Sequence, residues 1–190
     1  MQTLIQLIES NAPIEAIASH LDSLPLPQRL NEVKTLGAGL QEKLFTIAKT
    51  GVTLDDFLPS SVEPKKTVIF HGHNSLPAFS GFQKRMARSS DGKTILGYNH
   101  QTLSPITGPG YFMISNHTAR PGEMQIDYTQ LPHEKGADWP KLKSNDKGIS
   151  KLIYGNLKDY MRRVSSDVFI GEATKNGKRV GFFILCREEV

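Results

Sequence analysis

Four histidines of this chain fall at strand-like positions: His71, His73, His100 and His117. His71 and His73 are two residues apart, so on an extended strand they project from one face about 7 Å apart. Such a pair can offer two imidazoles to a divalent metal, with His100 or His117 as the third ligand that a catalytic zinc site needs. The same histidines can serve acid-base catalysis without a metal. Each later histidine follows an asparagine, in Asn99-His100 and Asn116-His117. By parity His100 shares a face with Tyr98, and His117 with Ser115. The opposite parity turns Asn74, Asn99 and Asn116 inward and makes an uncharged hydrogen-bonding pocket. Strand ends satisfied by turns and water are the third reading, and parity leaves all three open.

Other groups suggest recognition rather than reaction. Arg162, Arg163 and Tyr154 are suited to holding the carboxylate of an amphipathic ligand, because guanidinium grips carboxylate bidentately; surface ion pairs are their alternative role. Asp127-Tyr128 and Asp159-Tyr160 set acids beside phenols. Glu172 interrupts an apolar stretch, so burial would raise its pKa or demand a partner such as Arg163. Cys186 is the single cysteine, which excludes a disulfide framework and fits a reducing, cytoplasmic setting. It follows Leu185 in a core-like strand, where a thiol is inert. No phosphate-binding glycine loop, Gly-x-Ser-x-Gly elbow or His-Glu-x-x-His helix is present. No apolar run of about 18 residues occurs, so no membrane span is expected, and no signal peptide is read at the N-terminus.

The elements that must position these groups divide the chain. Residues 1–63 hold four basic and eight acidic side chains, a balance of −4, whereas 64–190 sum to +8, giving +4 over 190 residues. An acidic front and a basic body either attract each other or meet different partners. The front reads as short helices, with apolar residues at intervals of three and four from Leu4 to Ala48. Leu24-Pro25-Leu26-Pro27 ends the second helix, Gly37 and Gly39 predict a bend in the third, and Thr53-x-x-Asp56 resembles a capping box. Beyond Pro59 the chain reads as strands: Thr67–His73, Thr94–Gln101, Tyr111–Thr118, Glu123–Thr129, Lys151–Asn156, Lys158–Val164, Val168–Thr174 and Lys178–Arg187. Phe79–Arg88 fits either a helix or a strand. Asn176-Gly177 is a hairpin signal, since a type I′ turn needs positive φ at both central residues. In the last strand Val180, Phe182, Ile184 and Cys186 oppose Phe183 and Leu185, so both faces should be buried, one in a barrel and one under the helices. The lysines from Lys135 to Lys151 read as an exposed loop, too diluted by acids for a nucleic-acid partner.

Tyr154-Gly-Asn-Leu-Lys-Asp159-Tyr-Met-Arg162-Arg163-Val164-Ser-Ser-Asp167-Val-Phe-Ile170-Gly171, followed by a Phe-rich last strand, resembles the C-terminal half of a family named for a Gly-x-Trp-x-Gly motif. More loosely it resembles calycin-type barrels such as fatty-acid-binding proteins, lipocalins and nitrobindins. The motif itself is missing, and the only tryptophan is Trp139, followed by proline. The resemblance implies a barrel enclosing a small cavity. A haem held by the C-terminal strands, as in nitrobindins, is not expected, because no histidine follows His133.

The expectation is therefore an α+β protein, with a helical segment over 1–63 packed on an antiparallel, calycin-like barrel over 64–190. Its leading function is non-catalytic binding of a small apolar or amphipathic molecule, without a cofactor. The alternatives are an enzyme using the His71/His73 pair, with or without a divalent metal, and a protein-interaction module acting through the acidic helical arm.

Overall fold

The computed structural model describes residues 2–75, 80–115 and 119–189. Five helices come first: α1 (Leu4–Glu9), α2 (Ile14–Ser23), α3 (Leu26–Lys34), α4 (Ala38–Ile47) and α5 (Leu54–Phe57). Strands β1 (Val68–Asn74), β2 (Gly81–Arg88) and β3 (Ile95–His100) follow, then α6 (Ser104–Thr107), β4 (Tyr111–Ser115) and β5 (Met124–Asp127). Helix α7 (Gly148–Tyr154) precedes β6 (Leu157–Arg163), β7 (Val168–Lys175) and β8 (Lys178–Arg187). Each strand pairs antiparallel with the next, and β8 returns to β1, closing a barrel. Closure removes the exposed edges that a flat sheet of this length would leave. The expected α+β class, with N-terminal helices packed on an antiparallel barrel, is what the chain forms.

Two segments differ from the sequence reading. Lys151–Asn156, expected as a strand, lies mostly in α7. Ile149, Leu152 and Ile153 form one helix face there, and the short alternation of Leu152 with Tyr154 is too brief to outweigh it. Leu30–Ala48 is two helices rather than one bent one, because Gly37 sits extended as the N-cap of α4. The ambiguous Phe79–Arg88 stretch is a strand from Gly81 onward.

Alternation along the strands sorts the side chains into two cores. Val68, Phe70, Met86, Ile95, Phe112, Ile126, Met161, Phe169 and Leu185 fill the barrel. Val168, Ile170, Phe182, Ile184 and Cys186 project from the outer face of β7 and β8 and meet Leu4, Ile8, Ile17, Leu21, Val33 and Leu44 of α1–α4. Both faces of β8 are thus buried as expected from Phe182 to Cys186, whereas Val180, at the bulge before them, is 51% exposed; the apolar faces of the helical arm are spent on the barrel. Ion pairs reinforce the contact: Glu42 with Arg179 at 2.8 Å, and Asp55 and Asp56 with Arg88 and Arg163. One pair runs the other way, from Arg29 to Asp167 at 2.8 Å, and Asp167 also binds Arg187 at 2.7 Å.

Helix α5 closes one end of the barrel. Its Thr53–Asp56 capping box forms as expected, and Phe57 stacks on Phe169 with ring centroids 4.4 Å apart. Arg187 donates to the carbonyls of Asp56 and Phe57, and Arg88 to that of Leu58. These guanidiniums satisfy carbonyls that a helix C-terminus leaves without intrahelical partners. Among the described residues no element plugs the opposite end, where β3 passes through α6 into β4 and α7 leads into β6.

Candidate functional site

Between the open end and the packed core lies a cavity of about 380 Å³. Phe82, Leu157, Ala173 and Phe183 supply apolar wall, and Lys84, Asn99, Tyr128 and Asp159 converge where it meets the core. Met86, Ile126 and Met161, the next inward residues toward α5, are core and do not line it. The wall rings are seated by glycine: Gly72 faces Phe82, Gly97 faces Phe112 and Gly171 faces Phe183 across the ladder. A Cβ at any of the three would run into the phenylalanine ring.

The polar cluster is fully buried. Lys84 of β2 reaches across the lumen to Asp159 of β6, Nζ to Oδ2 at 3.2 Å. The same ammonium donates to Asn99 Oδ1 at 3.2 Å and to the Tyr128 hydroxyl, so its three protons are all placed. Tyr128 donates to Asp159 Oδ2 at 3.3 Å and accepts from Asn99 Nδ2 at 3.2 Å. Rings surround the ammonium: Phe112 and Tyr128 have centroids 4.9 Å away, and Phe183 is at 5.1 Å. Such contacts partly replace lost hydration. Burial pulls the pKa of Lys84 down, opposed by Asp159, and pushes that of Asp159 up, opposed by Lys84. Burial also raises Tyr128 well above the usual phenol value. One acceptor is left over: Asp159 Oδ1 is buried without a hydrogen-bond partner. Nearer the opening, Tyr154 stacks on Tyr128 at 5.6 Å and accepts from Gln101 Nε2 at 3.1 Å.

The sequence candidates divide around this cavity. Asn74, Asn99 and Tyr154 line it, which is the inward-asparagine parity. Asn116 and His117 lie outside the described residues. His71, His73, Tyr98 and His100 take the opposite parity and face outward. His71 is hydrogen-bonded to Glu188 at 2.7 Å. Burial, with Lys34 and Arg85 respectively, lowers the pKa of His73 and His100. Gln83 separates His71 from His100 in the register, a distance of about two strand spacings of 4.8 Å. Both line an outer groove of about 950 Å³ with Tyr98 and Trp139. Among the described residues, no three His, Cys, Asp or Glu are grouped to hold a metal.

The arginines are engaged away from the cavity. Arg162 binds Glu123 at 2.8 Å and the Phe45 carbonyl at 2.8 Å, and Arg163 pairs with Asp56. They do not join Tyr154 in a carboxylate clamp. Glu172 is held by Arg120 at 2.7 Å rather than by Arg163. The lysine-rich loop is anchored to the barrel: Trp139 packs on Tyr98 and Tyr111 and donates to Thr67 at 2.8 Å. Asn145 donates to the carbonyls of Tyr111 and Tyr128 at 2.7 and 2.8 Å.

Sequence reasoning missed Lys84 as a site residue and did not join Asp159 to Tyr128. A signal was there: Phe82-x-Lys84-x-Met86 and Leu157-x-Asp159-x-Met161 each put one charge in an apolar alternation. Two opposite charges on inward positions of different strands are best buried together. No protein-family model and no curated protein matches this chain.

Proposed function

We propose that the protein binds a small apolar or amphipathic molecule in the barrel cavity, without transforming it. The observation that carries this reading is the cavity's composition, apolar walls ending on one buried polar cluster. Its 380 Å³ lies within the about 300–1,000 Å³ usual for small-molecule sites. The unpartnered Asp159 Oδ1 gives the ligand's polar end a task. A hydroxyl or another neutral donor would complete the carboxylate's hydrogen bonds. A carboxylate there would meet Asp159 with the one nearby ammonium already shared. The lone buried thiol supports a reducing, cytoplasmic setting.

The test is titration with an environment-sensitive apolar dye such as 1-aminoanthracene, alongside native mass spectrometry before and after lipid extraction. Dye emission should rise with the wild type and fail to rise with Ala173→Trp, which fills the cavity. A wild type that leaves the dye unchanged, or an Ala173→Trp protein that binds it equally, refutes the reading.

A further inference from the structure

Among the described residues seven large apolar side chains are exposed, and six of them sit at the open end of the barrel: Leu103 and Ile106 at α6, Ile149, Leu152 and Ile153 on α7, and Val180 on β8. Leu103, Ile153 and Val180 line the cavity itself. The two helices lie side by side, with Ser150 Oγ donating to the Thr107 carbonyl at 2.7 Å. Leu152 is 75% exposed and Ile106 63%. Scattered exposed apolar residues are normal on a monomer, but a concentration at one end marks a contact surface.

The segments that form this rim are basic. Residues 101–110, 147–157 and 174–181 carry Lys147, Lys151, Lys175, Lys178 and Arg179, and no Asp or Glu. Lys175 is tied to the Leu152 carbonyl, which sets its ammonium beside the apolar face. Arg179 alone of the five is offset by an acid, Glu42.

We propose that the open end of the barrel docks on the surface of an anionic lipid bilayer. Ile106, Ile149 and Leu152 would enter the headgroup–acyl boundary while the lysines meet lipid phosphates and carboxylates. Charge complementarity selects an anionic surface, and continuity with the cavity mouth selects a lipid one. Docking would press the mouth against the phase in which apolar molecules dissolve. Peripheral attachment of this kind needs no spanning helix, and no helix among the described residues is long and apolar enough to be one.

The test is flotation of the full chain with vesicles of phosphatidylcholine alone and of phosphatidylcholine with about 30 mol % phosphatidylserine. The chain should float with the anionic vesicles at least about tenfold more than with the neutral ones. Salt near 1 M, where the Debye length is about 3 Å, should release it. Leu152→Glu and Ile106→Glu alter exposed side chains, so they should retain the wild-type urea midpoint and lose flotation. Lys151→Glu with Lys178→Glu should lose it too. No flotation with either vesicle, or flotation undiminished in Leu152→Glu, overturns the proposal. So does a non-floating wild type that runs as a dimer which Leu152→Glu dissociates, since the rim would then cover a second copy. Dye titration without vesicles reads the cavity separately, so either idea can fail alone.

Discussion

Lys84 and Asp159 lie on strands that are not neighbours, yet their side chains meet inside the barrel, 3.2 Å apart and each only 3% exposed. Removing one partner strands the other charge in a buried site. Lys84→Met is therefore expected to lower stability by about 3–5 kcal/mol. Lys84→Met combined with Asp159→Leu should recover most of that loss, because no lone charge remains. Urea unfolding of the two single variants and the double variant measures the coupling. A double variant whose loss is the sum of the two single losses would mean that the pair does not act as one.

The free oxygen of Asp159 makes a statement about ligand choice. A medium-chain alcohol should displace the cavity dye at least about tenfold more effectively than the acid of equal length, since a hydrogen bond to a charged group contributes about 1.5–3 kcal/mol. Asp159→Asn removes the negative charge and adds a donor, so it should narrow or invert that preference. Matched displacement titrations of both proteins read the change directly.

Cys186 is buried under the N-terminal helices, and burial pushes its thiol pKa up to about 11 from a usual 9. A raised native pKa means that the folded state holds the proton more tightly. The contribution is fully present below pH 9 and is lost as pH climbs toward 11. Stability should fall across that window, and less steeply in Cys186→Ala. At pH near 8 a thiol reagent should react with the unfolded chain and not with the native one.

Asp167 holds two arginines at once, Arg29 from α3 and Arg187 from β8. Asp167→Ala leaves both guanidiniums buried without their carboxylate and is expected to cost at least about 3 kcal/mol. Glu42→Ala breaks only the exposed pair with Arg179, for which about 0–1 kcal/mol is the usual range. Comparing the two denaturation midpoints separates a buried clamp from a surface contact.

Much of the fold could be read from local patterns, because local chemistry decides those parts. Asn176 and Gly177 adopt positive φ of 51° and 76°, as a primed hairpin turn requires, and the two faces of β8 follow from alternation between Phe182 and Cys186, which the bulge at Val180 interrupts. Parity was harder at β3 and β4. Leu96, Tyr98 and Tyr111 face outward but are covered by Trp139, so apolar residues occupy both faces and the inward set loses its contrast. At β1 Val68 and Phe70 face inward and leave His71 and His73 on the outer face, but Ile69 shares that outer parity, so alternation alone did not place the histidines. The polar cluster depends on β2 and β6 facing each other across the lumen, a long-range relation that neither strand encodes alone. Seating α5 in one end likewise requires the closed barrel, so its Phe57 looks from sequence like any helix residue.

That seated helix gives the barrel the geometry of a cup rather than a tunnel. Anything entering must leave by the same lip, in reverse order. A ligand bound as proposed would put its head in first and withdraw it last, with its tail nearest Leu103, Ile153 and Val180. Chain length would then be open-ended, since surplus methylenes could trail past the lip. Bulk beside the head would not be, because the rings of Phe82 and Phe183 narrow the bore it would pass.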